Sequence, residues 1–286
     1  MIRLDAATVL LQWAVGGMAF CWVTTRRREV GIGYGWLLRG TYLVFAVSSV
    51  AAAQFIGPVV ARDVAAVGVA LAVAAGLVVS ILRRRAGVAG EHVRQIERSA
   101  RVTEMTGIDR VAQDRDLEAK EFPPVLDLIP VLIGVVGLVF AGLDATGDGS
   151  TFVSLLRVMT GAAFLGAVTD AMLLGHWYLV QPGLARGPLL ELVRWLAIIW
   201  PFEVIALMLP TGMGSVLSGA IDDGYNGTLG WYWLASALGT IILCGVTRAA
   251  LRERYYSAVM AATGLLYLAI LTAFSTDLVA RALLAS

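Results

Sequence analysis

Residues 151–180, TFVSLLRVMTGAAFLGAVTDAMLLGHWYLV, form one long and mostly apolar segment. About 20 residues of α-helix cross the roughly 30 Å hydrocarbon core of a bilayer, so this segment is long enough to span a membrane. It also contains Arg157, Asp170 and His176, which hydrocarbon solvates poorly. The segment therefore predicts a transmembrane helix whose polar side chains need partners or a function.

The rest of the 286-residue chain has the same character, since 58% of its residues are apolar. Soluble domains contain about 45–50% apolar residues, so lipid is the expected solvent for most of the chain. A backbone in lipid must satisfy its own hydrogen bonds, which favours helices. The sequence therefore predicts an all-α, polytopic integral membrane protein. Its eight expected transmembrane helices cover residues 5–25, 36–58, 62–82, 124–144, 151–180, 188–210, 229–249 and 254–276.

Clusters of arginine predict how the chain is oriented. Basic residues concentrate in cytoplasmic loops, so the ends of the spans that carry the clusters are expected to be cytoplasmic, and both termini external. The use of 21 arginines against one lysine is typical of GC-rich bacterial genomes, and we expect the bacterial cytoplasmic membrane. The clusters are Arg26, Arg27 and Arg28 after the first span, Arg83, Arg84 and Arg85 after the third, and Arg248, Arg252 and Arg254 before the eighth.

Three parts of the chain follow from this threading. Residues 1–82 hold three spans, and residues 123–286 hold five, including a charged hairpin at 151–210. Between them, residues 83–122 predict a cytoplasmic amphipathic helical segment, because Val93, Ile96 and Ala100 recur at helical spacing among charges of both signs. This segment is either a solvated cap on the bundle or a docking surface for other subunits. The expected partners are the lipid bilayer and other subunits that would bind the segment 83–122, and binding of nucleic acid is not expected.

Two apolar segments resemble each other, and each opens a group of four spans. LLQWAVGGMAF (residues 10–20) is similar to LLRVMTGAAFL (residues 155–165). Duplication of a four-span unit would keep both copies in the same orientation, because four is an even number of crossings. A parallel 4+4 repeat is therefore a possible architecture.

The hairpin 151–210 carries the candidate proton or ligand site, which consists of Arg157, Asp170, His176, Arg194 and Glu203. In an antiparallel helix pair, residues equally far from the turn lie at the same depth. Arg157 then lies level with Glu203, and Asp170 level with Arg194. We therefore expect one or both ion pairs, because a charge near the bilayer centre costs at least about 2.5 kcal/mol unless it is paired. The rotation of each helix is not determined by this argument.

A second candidate site is a quinone-binding group at His176, Trp177 and Tyr178. His176 has alternative roles: an interfacial hydrogen bond to a carbonyl or headgroup, proton donation, a quinone contact, or axial ligation of haem. Haem b with two intramembrane histidine ligands is excluded, because the other histidine, His92, belongs to the segment 83–122. The sequence implies no metal site and no firm cofactor, although a quinone is possible.

Three functions are compatible with these features. The favoured one is an integral subunit of a bacterial respiratory or energy-transducing complex that handles protons or a quinone through the charged hairpin. A proton-coupled secondary transporter or channel is the alternative, which Pro201 in the sixth span supports because proline breaks a helix near the buried Glu203. The third is a structural scaffold whose ion pairs only hold helices together.

Overall fold

The computed structural model describes residues 5–55, 57–90, 93, 96–97, 120–147, 149–181, 184–253 and 255–285. Across these ranges the regular structure is entirely helical, which confirms the predicted all-α class. Eight helices have 17 or more residues: α1 Ala6–Thr25, α2 Ile32–Ala53, α3 Val60–Leu82, α4 Leu128–Asp144, α5 Thr151–Val180, α6 Gly187–Met208, α7 Thr228–Ala250 and α8 Tyr256–Leu284. Short helical turns lie at Arg84–Ala86, Pro124–Asp127 and Met213–Leu217.

Seven of these helices, all except α6, are long and apolar enough to span a membrane. This finding indicates a multi-pass membrane protein, as predicted. Helix α6 is more polar than the others because it carries Glu191, Arg194 and Glu203. Large apolar side chains such as Leu71 and Leu132 are exposed on the outside of the bundle, where lipid would solvate them.

The helices pack as two groups of four, which we call the first half (α1–α4) and the second half (α5–α8). In each half, consecutive helices contact each other and the first helix contacts the fourth. The halves meet mainly where α1 packs against α5. Helix α4, which belongs by sequence to the segment 123–286, therefore packs with the helices of 1–82.

Small residues allow the backbones of α1 and α5 to touch. A Cβ atom placed on Gly16 would lie 1.7 Å from the carbonyl oxygen of Ala162, and one on Gly166 would lie 2.2 Å from the carbonyl carbon of Gly16. Only hydrogen fits in that space. Close approach through small residues is a common way for helices to associate in lipid, where no hydrophobic force drives them together.

One end of the bundle, which we call the basic end, gathers the arginine clusters. Arg26 and Arg27, after α1, both bind Glu191 at the start of α6, and Arg28 binds Glu121 at 3.2 Å. The guanidinium of Arg186 donates to the carbonyl of Leu251 at 3.1 Å. The ends of α1, α6 and α7 are therefore linked on one side of the molecule. The greater part of the segment 83–122, with its predicted amphipathic helix, lies outside the described residues.

Helix α8 is longer than the span predicted at 254–276, because it continues to Leu284. Asp277 and Arg281 lie one turn apart in this extension and form an ion pair, with the Arg281 Nε atom 2.7 Å from the Asp277 Oδ2 atom. The span was predicted to end at residue 276 because the next residue, Asp277, is charged. Asp277 and Arg281 neutralise each other across one helical turn, so the helix continues past them.

At the end opposite the basic end, Asp223 organises the loop before α7. Its carboxylate accepts hydrogen bonds from the backbone N–H groups of Tyr225, Gly227, Leu229 and Gly230. Burial alone would raise the pKa of Asp223, but these four donors outweigh it and hold the pKa below the usual range. The charged carboxylate also lies at the N-terminus of α7, where the helix dipole favours an anion.

The Gly16 contact gives a test of how the two halves associate. Gly16→Ala should lower the free energy of unfolding by about 1–3 kcal/mol, because the added methyl group forces two backbones apart. The matched control is Gly264→Ala in α8, where a Cβ meets nothing within 4 Å and the change should be neutral or slightly stabilising. Thermal unfolding in detergent measures both, and equal effects would contradict the role of Gly16.

The Asp223 loop gives a pH-dependent test. The pKa of Asp223 is lower in the folded protein than in the unfolded chain. The loop is therefore fully stabilised by this carboxylate above the ordinary pKa of about 3.9, and the stabilisation is lost as the pH falls through the lower pKa of the folded protein. Asp223→Asn should therefore speed amide exchange of residues 225–230 at neutral pH, and the difference from wild type should vanish in acid. Asp222→Asn is the control, since Asp222 accepts from Gly224 alone in this loop. Hydrogen–deuterium exchange that is unchanged by Asp223→Asn would refute the interpretation.

Candidate functional site

Four arginine side chains lie in the interior, and each is only 1% exposed. A buried guanidinium needs partners that replace water, because an unpaired charge in a medium of low dielectric constant is costly. These partners define where charge is neutralised in the bundle and where it is not. The four are Arg39, Arg62, Arg157 and Arg281.

Arg39 on α2 forms a two-pronged ion pair with Asp127, which precedes α4. The Nε and Nη2 atoms each lie 2.8 Å from a different carboxylate oxygen. The hydroxyl of Thr25 donates to the same carboxylate at 2.9 Å. The guanidinium also stacks over the ring of Phe122, with 4.0 Å to the ring centroid. This cluster joins α1, α2 and α4 inside the first half, near the basic end.

Beside the Arg39 pair lies a cavity of about 40 Å³. Its lining includes Ser80, Arg39, Thr25 and the surface residues Arg28 and Glu121. The rest of the lining is mostly apolar, with Val30, Ile32 and Phe122 among it, but the polar groups suffice to bind a water molecule in a space of this size. Water in this cavity would therefore lie between the buried Arg39 pair and the basic end.

Two further arginines bind carboxylates toward the opposite end. Arg62 contacts Asp5 and also Asp63, whose Oδ1 atom lies 2.8 Å from Nε. Arg281 pairs with Asp277, as described above, and both side chains are 1% exposed. Every described arginine that is buried with a carboxylate partner is thus neutralised locally.

Arg157 is different, because its partners are carbonyl groups at the end of α6. It donates to Ala206 at 3.0 Å, to Leu209 at 2.9 Å and to Thr211 at 3.2 Å. The last carbonyls of a helix have no donors within the helix, and in lipid they need other partners. The predicted ion pair with Glu203 is not present as a direct contact, because the guanidinium binds these carbonyls instead; the two groups interact electrostatically at longer range.

Glu203 is consequently left inside the second half without a hydrogen bond to either carboxylate oxygen. Its side chain is 0% exposed. Three charged groups act on it electrostatically, namely Asp277, Arg281 and Arg157. The hydroxyl of Thr160 also acts on Glu203, but this hydroxyl donates to the carbonyl of Leu156 at 2.9 Å. A buried carboxylate without a hydrogen-bond donor is costly to keep charged.

Two of the charged groups that act on Glu203, Asp277 and Arg281, meet Gln12 at the small surface of Gly161. A Cβ atom there would lie 3.1 Å from each of three atoms: the Arg281 Nη2, the Asp277 Oδ1 and the Gln12 Nε2. Gln12 comes from α1 and donates to the carbonyl of Val158 at 2.6 Å, while its own Oε1 has no partner. This polar cluster therefore includes a residue of the first half.

Asp170, in the middle of α5, is also fully buried. Its Oδ1 accepts a hydrogen bond from the hydroxyl of Tyr42, and its Oδ2 has no partner. The hydroxyl of Tyr34 donates to the backbone carbonyl of Asp170 at 3.2 Å. Both tyrosines come from α2, so Asp170 is bound by the first half.

The predicted pair of Asp170 with Arg194 is absent, because Arg194 is exposed on the surface. Arg194 and Glu203 are nine residues apart, which rotates them by about 180° around a helix of 100° per residue. With Glu203 facing the interior, Arg194 must face outward. Matching the depths of two residues therefore did not predict on which side of α6 Arg194 lies.

Helix α1 carries a stripe of residues, one helical turn apart, that runs from these acids to the basic end. Trp13 donates to the hydroxyl of Thr169 at 2.6 Å, and Gly17 lies under the ring of Tyr42. Cys21 and Thr25 both approach the carboxylate of Asp127, at 3.9 and 2.9 Å. Asp170 and Asp127 also interact electrostatically. Polar groups therefore follow α1 over much of its length.

The three predicted quinone contacts diverge. His176 is exposed, and its Nδ1 lies 3.0 Å from the hydroxyl of Tyr267 on α8. Trp177 instead packs near Tyr34, with ring centroids 6.2 Å apart, and Tyr178 is buried with its hydroxyl on the carbonyl of Ala185. The structure does not bring these side chains to one pocket.

Several of the buried charges were not predicted. Arg39 and Arg62 lie near the beginnings of the predicted spans 36–58 and 62–82, and Arg281 follows the predicted span 254–276, so none of them was a candidate site residue. The i, i+4 spacing of Asp277 and Arg281 was a usable signal, since such pairs neutralise each other on one helix face. The pairing of Arg39 with Asp127 spans 88 residues, and only tertiary packing brings the two together.

Comparisons with known proteins return no relationship. This sequence matches no protein-family profile, no curated protein and no solved structure.

The Arg39–Asp127 pair predicts a specific pattern of stabilities. Asp127→Leu alone should lower the free energy of unfolding by about 3–5 kcal/mol, because it leaves a buried guanidinium unpaired. Adding Arg39→Met should recover most of that loss. The same cycle applied to Asp170 and Arg194 should show coupling near zero, because these residues do not meet. Chemical unfolding in detergent measures both cycles, and strong coupling of Asp170 with Arg194 would contradict the structure.

Proposed function

We propose that this protein is an integral subunit of a bacterial energy-transducing membrane complex that moves protons through its interior, with Glu203 and Asp170 binding the proton. The observation that carries the proposal is the state of Glu203, which is fully buried with neither carboxylate oxygen hydrogen-bonded. Ionisable groups inside a membrane are costly and commonly mark proton pathways.

The contrast with the other buried acids supports this assignment. Asp5, Asp127 and Asp277 each bind an arginine, which suits them to hold helices together. Glu203 and Asp170 bind none, and each keeps at least one oxygen free to accept a proton or a water molecule. A proton carrier needs such a free position, because it must exchange its proton.

The polar stripe along α1 supports a route between the two ends. Glu203 lies in the polar cluster that includes Gln12, Asp170 lies further along, and the Asp127 cluster adjoins the cavity near the basic end. From Gln12 to Thr25 the helix rises by about 20 Å. Water molecules would have to complete the connections, since successive polar groups on α1 are one helical turn apart.

The proposal includes the threading predicted from sequence: eight spans with α6 among them, the basic end facing the cytoplasm and both termini external. The parallel 4+4 repeat belongs to it as well, and the matching order of contacts in the two halves supports it. A quinone site at His176, Trp177 and Tyr178 is not part of the proposal, because these side chains diverge.

A proton-coupled secondary transporter is the second candidate. It is favoured by the two halves of four helices, which meet mainly where α1 packs closely against α5. Transporters built from repeats often move one repeat against the other around a central site. Copurification from native membranes separates the candidates: a complex subunit retains companion subunits, whereas a transporter is isolated alone.

Proton movement can be measured in proteoliposomes with a pH-sensitive dye inside and a membrane potential set by potassium and valinomycin. Wild type should admit protons faster than protein-free liposomes. Glu203→Gln and Asp170→Asn should each slow this entry by about tenfold or more, because neither amide can exchange a proton as a carboxyl group does.

Glu253→Gln is the control, since it removes an acid from an exposed loop at the basic end. It should leave the rate unchanged. Each variant must match the wild type in size-exclusion profile and melting temperature, so that a lost signal reports protons and not unfolding. Wild-type rates in both Glu203→Gln and Asp170→Asn would reject the proposal.

A further inference from the structure

A large basic cavity lies at the surface of the basic end, between the end of α1, the first half of α6 and the end of α7. Its volume is about 530 Å³. Four arginines line it, Arg27, Arg194, Arg248 and Arg252, against the single acid Glu191. Glu191 already forms ion pairs with both Arg26 and Arg27, so it does not neutralise the other arginines of the cavity.

Three of these arginines have no acidic partner among the described residues. Arg194, Arg248 and Arg252 are all exposed, and none forms an ion pair within the described parts of the chain. Three cations that face one cavity repel each other unless an anion is present. The cavity therefore has the charge of a site for a phosphate group, which arginine binds well.

An apolar groove of about 470 Å³ adjoins this cavity. It lies between α1, α4, α5 and α6, and its floor is the contact between Gly16 and Ala162. Its walls are aliphatic and aromatic side chains, among them Val135, Met159 and Ile199. A groove with this lining, on the face that lipid solvates, suits an acyl chain.

Trp195 connects the two spaces, because it lines both the basic cavity and the apolar groove. Its neighbours on α6 divide between them, with Ile198 in the cavity and Ile199 in the groove. Tryptophan is enriched where the apolar core of a membrane meets its headgroups. The combined space thus has a cationic end and an apolar end, which join at Trp195.

We propose that this combined space binds an anionic phospholipid, with its phosphate among Arg194, Arg248 and Arg252 and one acyl chain in the groove. Charge complementarity selects an anionic headgroup, and the groove selects a lipid over free phosphate. Basic pockets between transmembrane helices are a known kind of lipid headgroup site. Because the groove follows the boundary between the halves, the lipid would contact helices of both. This inference is independent of proton movement.

Binding can be tested on the purified full-length chain in detergent with three probes. These are dioctanoyl phosphatidylglycerol, dioctanoyl phosphatidylcholine and inorganic phosphate. Phosphatidylglycerol should raise the melting temperature in a saturable way. The zwitterionic lipid and inorganic phosphate should each bind at least about tenfold more weakly, because one lacks the net charge and the other lacks the chains.

Two variants divide the site, and one pair serves as control. Arg194→Gln with Arg248→Gln should weaken phosphatidylglycerol binding by at least about tenfold, since each arginine near a lipid surface contributes about 1 kcal/mol. Ala163→Phe, which fills the groove, should weaken it similarly. Arg84→Gln with Arg85→Gln removes the same charge from exposed positions outside the cavity and should change binding less than twofold.

Several outcomes would overturn the assignment. If phosphatidylcholine bound as tightly as phosphatidylglycerol, the assignment of the arginines to an anionic headgroup would be wrong. If inorganic phosphate bound as tightly as phosphatidylglycerol, the assignment of the groove to an acyl chain would be wrong. If the Arg84 and Arg85 control lost as much affinity for phosphatidylglycerol, the binding would depend on the overall charge of the protein and not on this cavity. A dimer that depends on Arg194 and Arg248, seen by light scattering, would assign the surface to a second copy of the chain. If Ala163→Phe unfolds the chain, native mass spectrometry of wild type with phosphatidylglycerol and phosphatidylcholine decides the question.

Discussion

A charge inside a helical bundle in lipid is tolerated only where protein groups replace its water, and this constraint governs the interior of this protein. Arg39, Arg62 and Arg281 each meet a carboxylate, while Arg157 meets the free carbonyls at the end of α6. These contacts hold neighbouring helices together. Once the arginines are satisfied, Glu203 and Asp170 are left with free carboxylate oxygens. The same constraint therefore explains the stability of the bundle and identifies the groups available for chemistry.

The close contact between α1 and α5 makes the two halves one structure. Gly16 and Gly166 let the backbones touch, and polar groups cross the boundary on either side of that contact. Gln12 reaches from α1 into the cluster around Gly161, and Tyr42 reaches from α2 to Asp170. Asp170 thus contacts a residue of the opposite half directly, while Glu203 is linked to Gln12 through Asp277 and Arg281. The candidate site is a property of the assembled bundle, which neither half contains alone.

The sequence predicted the helical class and the presence of long apolar helices, because length and apolarity follow directly from bilayer thickness. Some helix ends were wrong: α2 covers Ile32–Ala53 instead of 36–58, and α8 continues to Leu284 instead of ending at 276. It also identified Glu203 and Asp170 as buried acids. Their partners were not predictable from depth alone, since depth does not determine which side of a helix faces inward. Arg194 shows this, because a rotation of about 180° from Glu203 places it outside. Tyr42 could not be predicted as the partner of Asp170, because a tyrosine in an apolar segment has no distinctive sequence pattern.

The path of Tyr42 has a mechanical consequence. Its ring lies over Gly17, where a Cβ would come within 1.9 Å of it, and its hydroxyl ends on Asp170. The side chain thus passes over α1 and connects α2 to α5. If Asp170 binds and releases a proton, as proposed above, the strength of its hydrogen bond to Tyr42 changes with that proton. A movement of one half against the other that broke this hydrogen bond would then be thermodynamically linked to the proton on Asp170.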